Sequence, residues 1–210
     1  MSQSNKKVVI IDYDMGNVGS VKNALDFIKI ESVISRKSED IRRATHLILP
    51  GVGSYGEGIR KLQQHNMMRI LNEEVLTKKK PFLGICLGMQ ILSEIGEEDG
   101  LHKGLGWIEG RTRLLIVNKE KLRLPHVGWN DVQIRKRHTL FANIAPNIFY
   151  FVHSYVLEPS NKSLVIANCK YGETFCASVA KNNILGVQFH PEKSQKSGLN
   201  LLNNFLNLFN

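Results

Sequence analysis

Apolar positions follow two periods along the first half of the chain. Val8 to Asp12 is an apolar run closing in Asp-Tyr-Asp, the pattern of a strand buried on both faces. Gly16-Asn17 then turns the chain into a helix, where Val21, Ala24, Leu25 and Ile28 form one apolar face at helical spacing. Ser32 to Ser35 reads as a short second strand. His46 to Leu49 reads as a third, stopped by Pro50-Gly51. Helical sequence runs from Glu57 to Thr77 and ends in Lys78-Lys79-Lys80, cations that suit a helix C-terminus. Phe82 to Ile85 predicts a fourth strand and Leu87 to Ile95 the helix after it.

The second half is richer in strand patterns. Leu114 to Val117, Val132 to Arg135, Ile148 to His153, Leu164 to Asn168, Phe175 to Ala180 and Ile184 to Phe189 all predict strands. A closing helix carries Leu199, Leu202, Phe205, Leu206 and Phe209 on one face. Residues 96 to 106, glycine-rich and acidic at the start, read as an exposed loop. Alternating β and α, then mixed strands and a final helix, imply one α/β domain. Its central sheet is mixed, mostly parallel and flanked by helices.

Composition changes this picture little. At 210 residues with 42% hydrophobic content, the chain fits one soluble domain with a well-buried core. Its apolar stretches fall far short of a membrane span, and Val8 to Ile11 is too short for a signal-peptide core, so a cytoplasmic protein is expected. Three irregularly spaced cysteines argue against a disulfide framework; Cys169 and Cys176 are expected to pack as small apolar residues. No cysteine–histidine spacing suggests a metal site. The net charge of +9 gathers at Lys78–Lys80, Arg111 to Arg123 and Arg135–Arg137. Solvated edges, an acidic protein partner or a phosphorylated ligand would each account for it. Nucleic acid fits less well, for want of a zinc finger, an aromatic–basic repeat or an arginine-rich helix.

The chemistry concentrates in two places. Gly84-Ile85-Cys86-Leu87-Gly88 ends one apolar run and His190-Pro191-Glu192 ends another. A cysteine between two glycines at a strand end has the form of a nucleophile elbow. The glycines permit the sharp turn, and the helix N-terminus favours thiolate. The N–H of Leu87 would face a developing oxyanion. His190 would act as general base and then acid, with Glu192 orienting it. Cys86 alone reads equally as a buried cysteine in a glycine-rich turn, and His190 alone as a structural histidine. Together, at the ends of strands that can lie side by side, they predict acyl transfer through a thioester.

The two motifs resemble those of the class I (triad) glutamine amidotransferases, which release ammonia from glutamine with Cys, His and Glu. Asp12 to Asn17, Pro50-Gly51-Val52-Gly53, Pro125 to Asn130, Tyr150 to Tyr155 and His190 to Ser194 are similar to the glutaminase subunits of imidazole glycerol phosphate synthases. The resemblance covers the chain from about Lys7 onward. It implies a flavodoxin-like amidotransferase domain over residues 7–210, behind a disordered or flexible stretch 1–6. It implies catalytic roles for Cys86, His190 and Glu192. It implies oxyanion or substrate contacts from Gly51, Val52, Gly53, Leu87, Gln90, Ser154 and Tyr155. Asn17, Trp129, Tyr150 and Lys193 would meet a (β/α)8-barrel cyclase/synthase subunit in a heterodimer of histidine biosynthesis.

L-glutamine is the implied substrate, with no cofactor, metal, nucleic acid or membrane. His153 is assigned no catalytic role. Asp14 stands where the family usually has glycine. Three other readings share parts of this pattern. They are the same glutaminase chemistry feeding a surface-sugar-modifying synthetase, a free-standing hydrolase of γ-glutamyl compounds, and a silent scaffold. The intact Cys86, His190 and Glu192 argue against the last.

Overall fold

The apolar runs of the first half become the parallel part of one sheet. The computed structural model describes residues 6–209. Its strands are β1 (Val8–Ile11), β2 (Ser32–Ser35), β3 (His46–Gly51), β4 (Phe82–Cys86), β5 (Ile95–Gly96), β6 (His102–Lys103) and β7 (Gly110–Leu114). They continue with β8 (His126–Ile134), β9 (Ile148–His153), β10 (Tyr155–Pro159), β11 (Val165–Tyr171), β12 (Glu173–Lys181) and β13 (Ile184–Val187). The helices are α1 (Val18–Phe27), α2 (Ser38–Arg43), α3 (Tyr55–Gln64), α4 (Met67–Leu71), α5 (Leu87–Gln90) and α6 (Gln195–Asn207).

The main sheet runs β2-β1-β3-β4-β13-β12-β11-β8-β9. Its first five strands pair in parallel and the remaining pairs are antiparallel. β1, β3, β4 and β13 are buried along their whole length, because helices cover both faces of a parallel sheet. A second, four-stranded sheet has the order β10-β7-β5-β6. Aromatic side chains fill the centre: Phe149 stacks on Phe189 with centroids 4.0 Å apart, and Trp107 meets Phe82 edge-on at 4.9 Å. No helix among the described residues is long and apolar enough to cross a membrane. Of the six N-terminal residues expected to be flexible, the first five lie outside the described residues. Lys6 donates from Nζ to the Leu206 carbonyl and to Asn207 Oδ1.

Several boundaries differ from those the sequence pattern predicts. The helix expected over Glu57–Thr77 is broken at Asn66, whose left-handed backbone (φ 54°) ends α3. Residues Asn72–Thr77 then widen into π-type turns, with Trp107 Nε1 donating to Asn72 Oδ1 at 2.7 Å. The helix expected over Leu87–Ile95 is one turn long. Ser93 Oγ donates to the Gln90 carbonyl at 2.8 Å, and the chain leaves to form β5. The loop expected over residues 96–106 therefore holds two short strands, with its exposed tip at Asp99–Leu101. In α6 the fully buried face is Gly198, Leu201, Leu202, Phe205 and Leu206, while Leu199 and Phe209 pack at its margin.

Part of each of two basic stretches is answered locally, while Arg135–Arg137 meet no carboxylate among the described residues. Arg113 is clasped by Glu158 and Glu173, Arg111 by Glu97 and Glu158, and the buried Glu74 by Lys78 and Lys80.

Three buried histidines make acid stability predictable. His46, edge-on to Phe205 at 5.5 Å, is pushed down to about 4 by burial and then by the charge of Lys6. Burial also takes His126 down to about 4 and His153 to about 3. Each binds a proton more readily when unfolded, so its contribution is whole above the ordinary histidine value of 6.5 and is lost as pH falls through the folded value. Urea midpoints should therefore fall between pH 6.5 and pH 4, and His46→Gln should flatten the slope by about 2–3 kcal/mol. Equal slopes for the two proteins would refute it.

Candidate active site

Parallel pairing brings the two motifs together at one rim of the main sheet, where open α/β sheets bind ligands. Gly186 pairs with Gly84 and Val187 with Ile85, so the chain beyond β13 passes beside the end of β4. On the other side Gly51 pairs with Cys86.

Cys86 closes β4 at φ 53°, ψ −111° and opens α5, a left-handed conformation rare for a residue with a side chain. The flanking glycines make this turn possible. A Cβ on Gly88 would lie 1.9 Å from the Leu49 carbonyl oxygen, and one on Gly84 2.4 Å from the Gly88 oxygen. Cys86 is almost fully buried. Its thiol contacts the Val152 carbonyl at 3.7 Å, and Gln188 Nε2 donates to Sγ at 3.7 Å.

His190 follows β13 and is buried, with Nδ1 2.7 Å from Glu192 Oε1. That bond fixes the ring and leaves Nε2 for the sulfur. Nε2 makes no aligned hydrogen bond, so its link to Cys86 rests on proximity and charge. Burial alone would lower the affinity of His190 for a proton. The Cys86 sulfur and then Glu192 outweigh it and raise the pKa well above the ordinary histidine value. Ser194 holds the segment in place: Oγ donates to the His190 carbonyl at 2.6 Å and accepts from Tyr150 N at 3.0 Å. The second oxygen of Glu192 is buried without a partner among the described residues.

The other predicted residues divide into two groups. Gly51 pairs with Cys86 and Leu87 follows it, and a Cβ on Gly51 would lie 2.4 Å from the Tyr13 hydroxyl and 2.8 Å from Leu87 Cβ. Val52 is 41% exposed, and Gly53 has φ 108°. Gln90 points inward, its Nε2 donating to the Tyr155 carbonyl at 2.8 Å and to Gln188 Oε1 at 3.3 Å. Ser154 links the two sheets through its carbonyl, which accepts from Leu115 N at 2.8 Å.

Trp129, Tyr150 and Lys193 gather on the outer side. The two rings meet edge-on at 5.9 Å, and Lys193 Nζ lies 5.7 Å from the Tyr150 centroid. Trp129 is 47% exposed, beside exposed Val127 on the same strand. Asn17 is exposed and caps α1, its Oδ1 accepting from Ser20 N at 3.2 Å. Asp14 has φ 66°, a backbone conformation that glycine adopts without strain. Its carboxylate meets Arg36, His65 and Lys61, and His65 first, then Arg36, holds its pKa far below the carboxylate range.

Sequence reasoning missed four groups at this rim. Gln188 reads as part of an apolar run, yet a glutamine between Val187 and Phe189 is itself a sign of a buried polar contact. Tyr13 is fully buried with an unpartnered hydroxyl, and its pKa is raised by burial and by the charge of Cys86. Glu98 accepts from Tyr55 N at 2.6 Å; burial raises its pKa, and its charge reaches Tyr155. The buried pair His126 and His153 completes the set.

Comparison with known proteins gives the family. Residues 9–208 match the family described as Glutamine amidotransferase class-I. The chain is 47% identical over 202 residues to "Imidazole glycerol phosphate synthase subunit HisH 2" of Vibrio vulnificus (strain YJ016), covering 95% of this chain and 94% of that one. It is 44% identical over 200 residues to the protein of the same name from Methanococcus maripaludis, covering 95% and 98%. Among solved structures, one titled "Crystal structure of glutamine amidotransferase" shares the fold, with a TM-score of 0.71 at 20% identity over 95% of this chain and 97% of that one.

The elbow glycines give a paired test. Gly88→Ala should cost about 3 kcal/mol or prevent folding, because the new methyl meets backbone that cannot yield. Gly19→Ala, in α1 with open space around it, should be neutral or stabilising by up to about 1 kcal/mol. Thermal unfolding of the two variants decides it, and equal melting temperatures would contradict the elbow packing.

Proposed function

Because this chain belongs to the class-I glutamine amidotransferases, we propose that Cys86, His190 and Glu192 carry the release of ammonia from glutamine. The observation that supports this reading is the 2.7 Å contact between His190 Nδ1 and Glu192, which leaves Nε2 for a sulfur held on a strained elbow at the end of the neighbouring strand. The thiolate attacks the side-chain amide carbon of glutamine, forming a C–S bond and a tetrahedral oxyanion. Backbone N–H groups of Leu87 and the Gly51–Gly53 segment stabilise that oxygen. The C–N bond then breaks, and the nitrogen leaves as ammonia with the proton from His190. Water, deprotonated by the same imidazole, opens the thioester and frees glutamate. Gln90 and the Ser154–Tyr155 strand bind the substrate, and Glu98 offers a carboxylate for its α-ammonium group.

The relatives' printed names support a glutaminase subunit of an imidazole glycerol phosphate synthase, working in histidine biosynthesis. In this reading the ammonia passes to a (β/α)8-barrel synthase subunit that makes imidazole glycerol phosphate and AICAR in the cytoplasm. Trp129, Tyr150 and Lys193 form the docking face beside the triad, and Asn17 sits at the start of α1, which packs on the Pro191–Lys193 turn. A half-exposed tryptophan with a neighbouring tyrosine and a cation that has no ion pair among the described residues suits an interface anchor.

A second reading keeps the chemistry and changes the acceptor. Several relatives carry the number 2 in their names, which points to organisms with more than one such subunit. One histidine pathway needs one, so a second copy suits a synthetase that modifies surface sugars.

Glutamate release should fall at least about 1,000-fold in Cys86→Ala. In Glu192→Gln it should fall about 100- to 10,000-fold through kcat, the imidazole having lost its orienting charge. Lys193→Ala should lower partner-stimulated turnover while leaving the melting temperature unchanged. Equal rates for wild type and Cys86→Ala would remove the nucleophile assignment. Product formation with each purified candidate partner identifies the acceptor.

A further inference from the structure

The catalytic scheme leaves two buried imidazoles unused. His126, on β8, is 2% exposed, and His153, at the end of β9, is 5% exposed. They are 27 residues apart, and antiparallel register sets them opposite one another. His126 lies flat between the rings of Tyr171 (4.0 Å) and Phe151 (4.9 Å), while His153 meets Phe175 at 5.1 Å. Packing alone would be served better by two phenylalanines, since a buried imidazole without partners is costly. Each ring nitrogen here has a partner.

Those partners define a direction. The Asn130 amide nitrogen can only donate, and it lies 3.3 Å from His126 Nε2. His126 Nε2 therefore accepts, and the ring's proton sits on Nδ1. That nitrogen is 3.1 Å from His153 Nε2, which must accept in turn. His153 then carries its proton on Nδ1, 3.0 Å from the Tyr155 carbonyl oxygen, an obligate acceptor. Both rings are neutral in this arrangement, as the lowering of both pKa values by burial also requires.

The chain of bonds ends on a carbonyl with a second duty. The Tyr155 oxygen also accepts from Gln90 Nε2 at 2.8 Å. The other hydrogen of that amide goes to Gln188 Oε1 at 3.3 Å, and Gln188 Nε2 reaches Cys86 Sγ. With both hydrogens engaged, the Gln90 oxygen faces away from these partners and accepts no hydrogen bond among the described residues.

We propose that His126 and His153 are positioning residues for glutamine: their directed hydrogen bonds fix the Tyr155 carbonyl, which fixes the amide of Gln90 with its oxygen presented to the substrate. The inference rests on the glutaminase reading and deepens it by assigning what sets the substrate-contacting amide. Neither imidazole touches the reacting atoms. Replacing His153 by an apolar ring takes one of two hydrogen bonds from the Tyr155 oxygen and frees the Gln90 amide to turn over. Gln90 holds the substrate equally in ground and transition states, so the effect of misplacing it falls on KM.

The test compares glutamate release from glutamine by the full chain as wild type, His153→Phe and His153→Asn, with Cys86→Ala as the control for the glutaminase reading. Removing one buried hydrogen bond should raise KM about tenfold in His153→Phe with kcat within about threefold of wild type. His153→Asn, whose Nδ2 lies close to the position of Nδ1, should recover most of the KM. An unchanged KM in His153→Phe, a fall confined to kcat, or an asparagine variant as impaired as the phenylalanine one would overturn the proposal.

Nitrogen NMR of 15N-histidine-labelled wild type at neutral pH supplies an arm that needs neither turnover nor a variant that folds. Both rings should be neutral with the proton on Nδ1, and an Nε2–H tautomer or a cation at either ring would overturn the assignment. Glutamate release unaffected in Cys86→Ala would sink the glutaminase reading, an outcome distinct from either arm.

Discussion

A positive φ at Cys86 governs the arrangement of the rim. An L-residue held there costs roughly 1–2 kcal/mol, and the surrounding backbone must enforce it. Enforcement comes from the close approach of α5 to β3 and β4, which only hydrogen atoms at Gly84 and Gly88 allow. The same approach places Leu49 and Gly51 of β3 against the elbow, so the candidate oxyanion segment is positioned by the turn that presents the sulfur. β13 then has one place left, parallel to β4 on its other side, and that register delivers His190 to the sulfur. A sheet neighbour shifted by one residue would send the imidazole to the opposite face.

Polar side chains around the sulfur fall into two populations. Gln90, Gln188, His126 and His153 are buried and partnered, each tied to another group in the set. Tyr13 Oη, His190 Nε2 and Glu192 Oε2 are buried and have no hydrogen-bond partner among the described residues. Native interiors tolerate few such atoms, since each carries a desolvation penalty. Tyr13 and His190 both feel the charge of Cys86, whereas Ser32 Oγ, His46 Nε2, Glu74 Oε2 and Asn147 Oδ1, also buried without a hydrogen-bond partner among the described residues, lie elsewhere in the fold.

What could be read from the chain follows from how local its causes are. The elbow and the His-Pro-Glu turn were legible because their chemistry sits in contiguous residues whose glycines and proline dictate the backbone. The parallel strands were legible because burial on both faces demands unbroken apolar runs. The second sheet was not, since Ile95–Gly96 and His102–Lys103 are two residues long and exist only through pairing with distant partners. The break at Asn66 escaped because one asparagine in a periodic run looks like any polar helix residue. Gln188 hid inside an apolar run. The His126–His153 contact could not be seen at all, because it depends on the register of β8 with β9.

Charge was the least legible feature and is the most instructive one. A formal surplus of +9 does not say which cations are paired. Arg36 and Lys61 close on Asp14, Arg111 and Arg113 on Glu97, Glu158 and Glu173, and Lys78 and Lys80 on Glu74, while Lys119 to Arg123 and Arg135 to Arg137 meet no carboxylate among the described residues. Asp14 thereby ties the loop after β1 to the segment after β2 and to α3, a clasp that a glycine there could not make. Lys193 is held differently, over the face of Tyr150 and one residue from Glu192. An exposed cation–π contact is worth only about 0.5–1 kcal/mol. Exchanging it for a carboxylate on an approaching protein is therefore nearly free, and the exchange would be felt on the short turn that also carries His190 and Glu192.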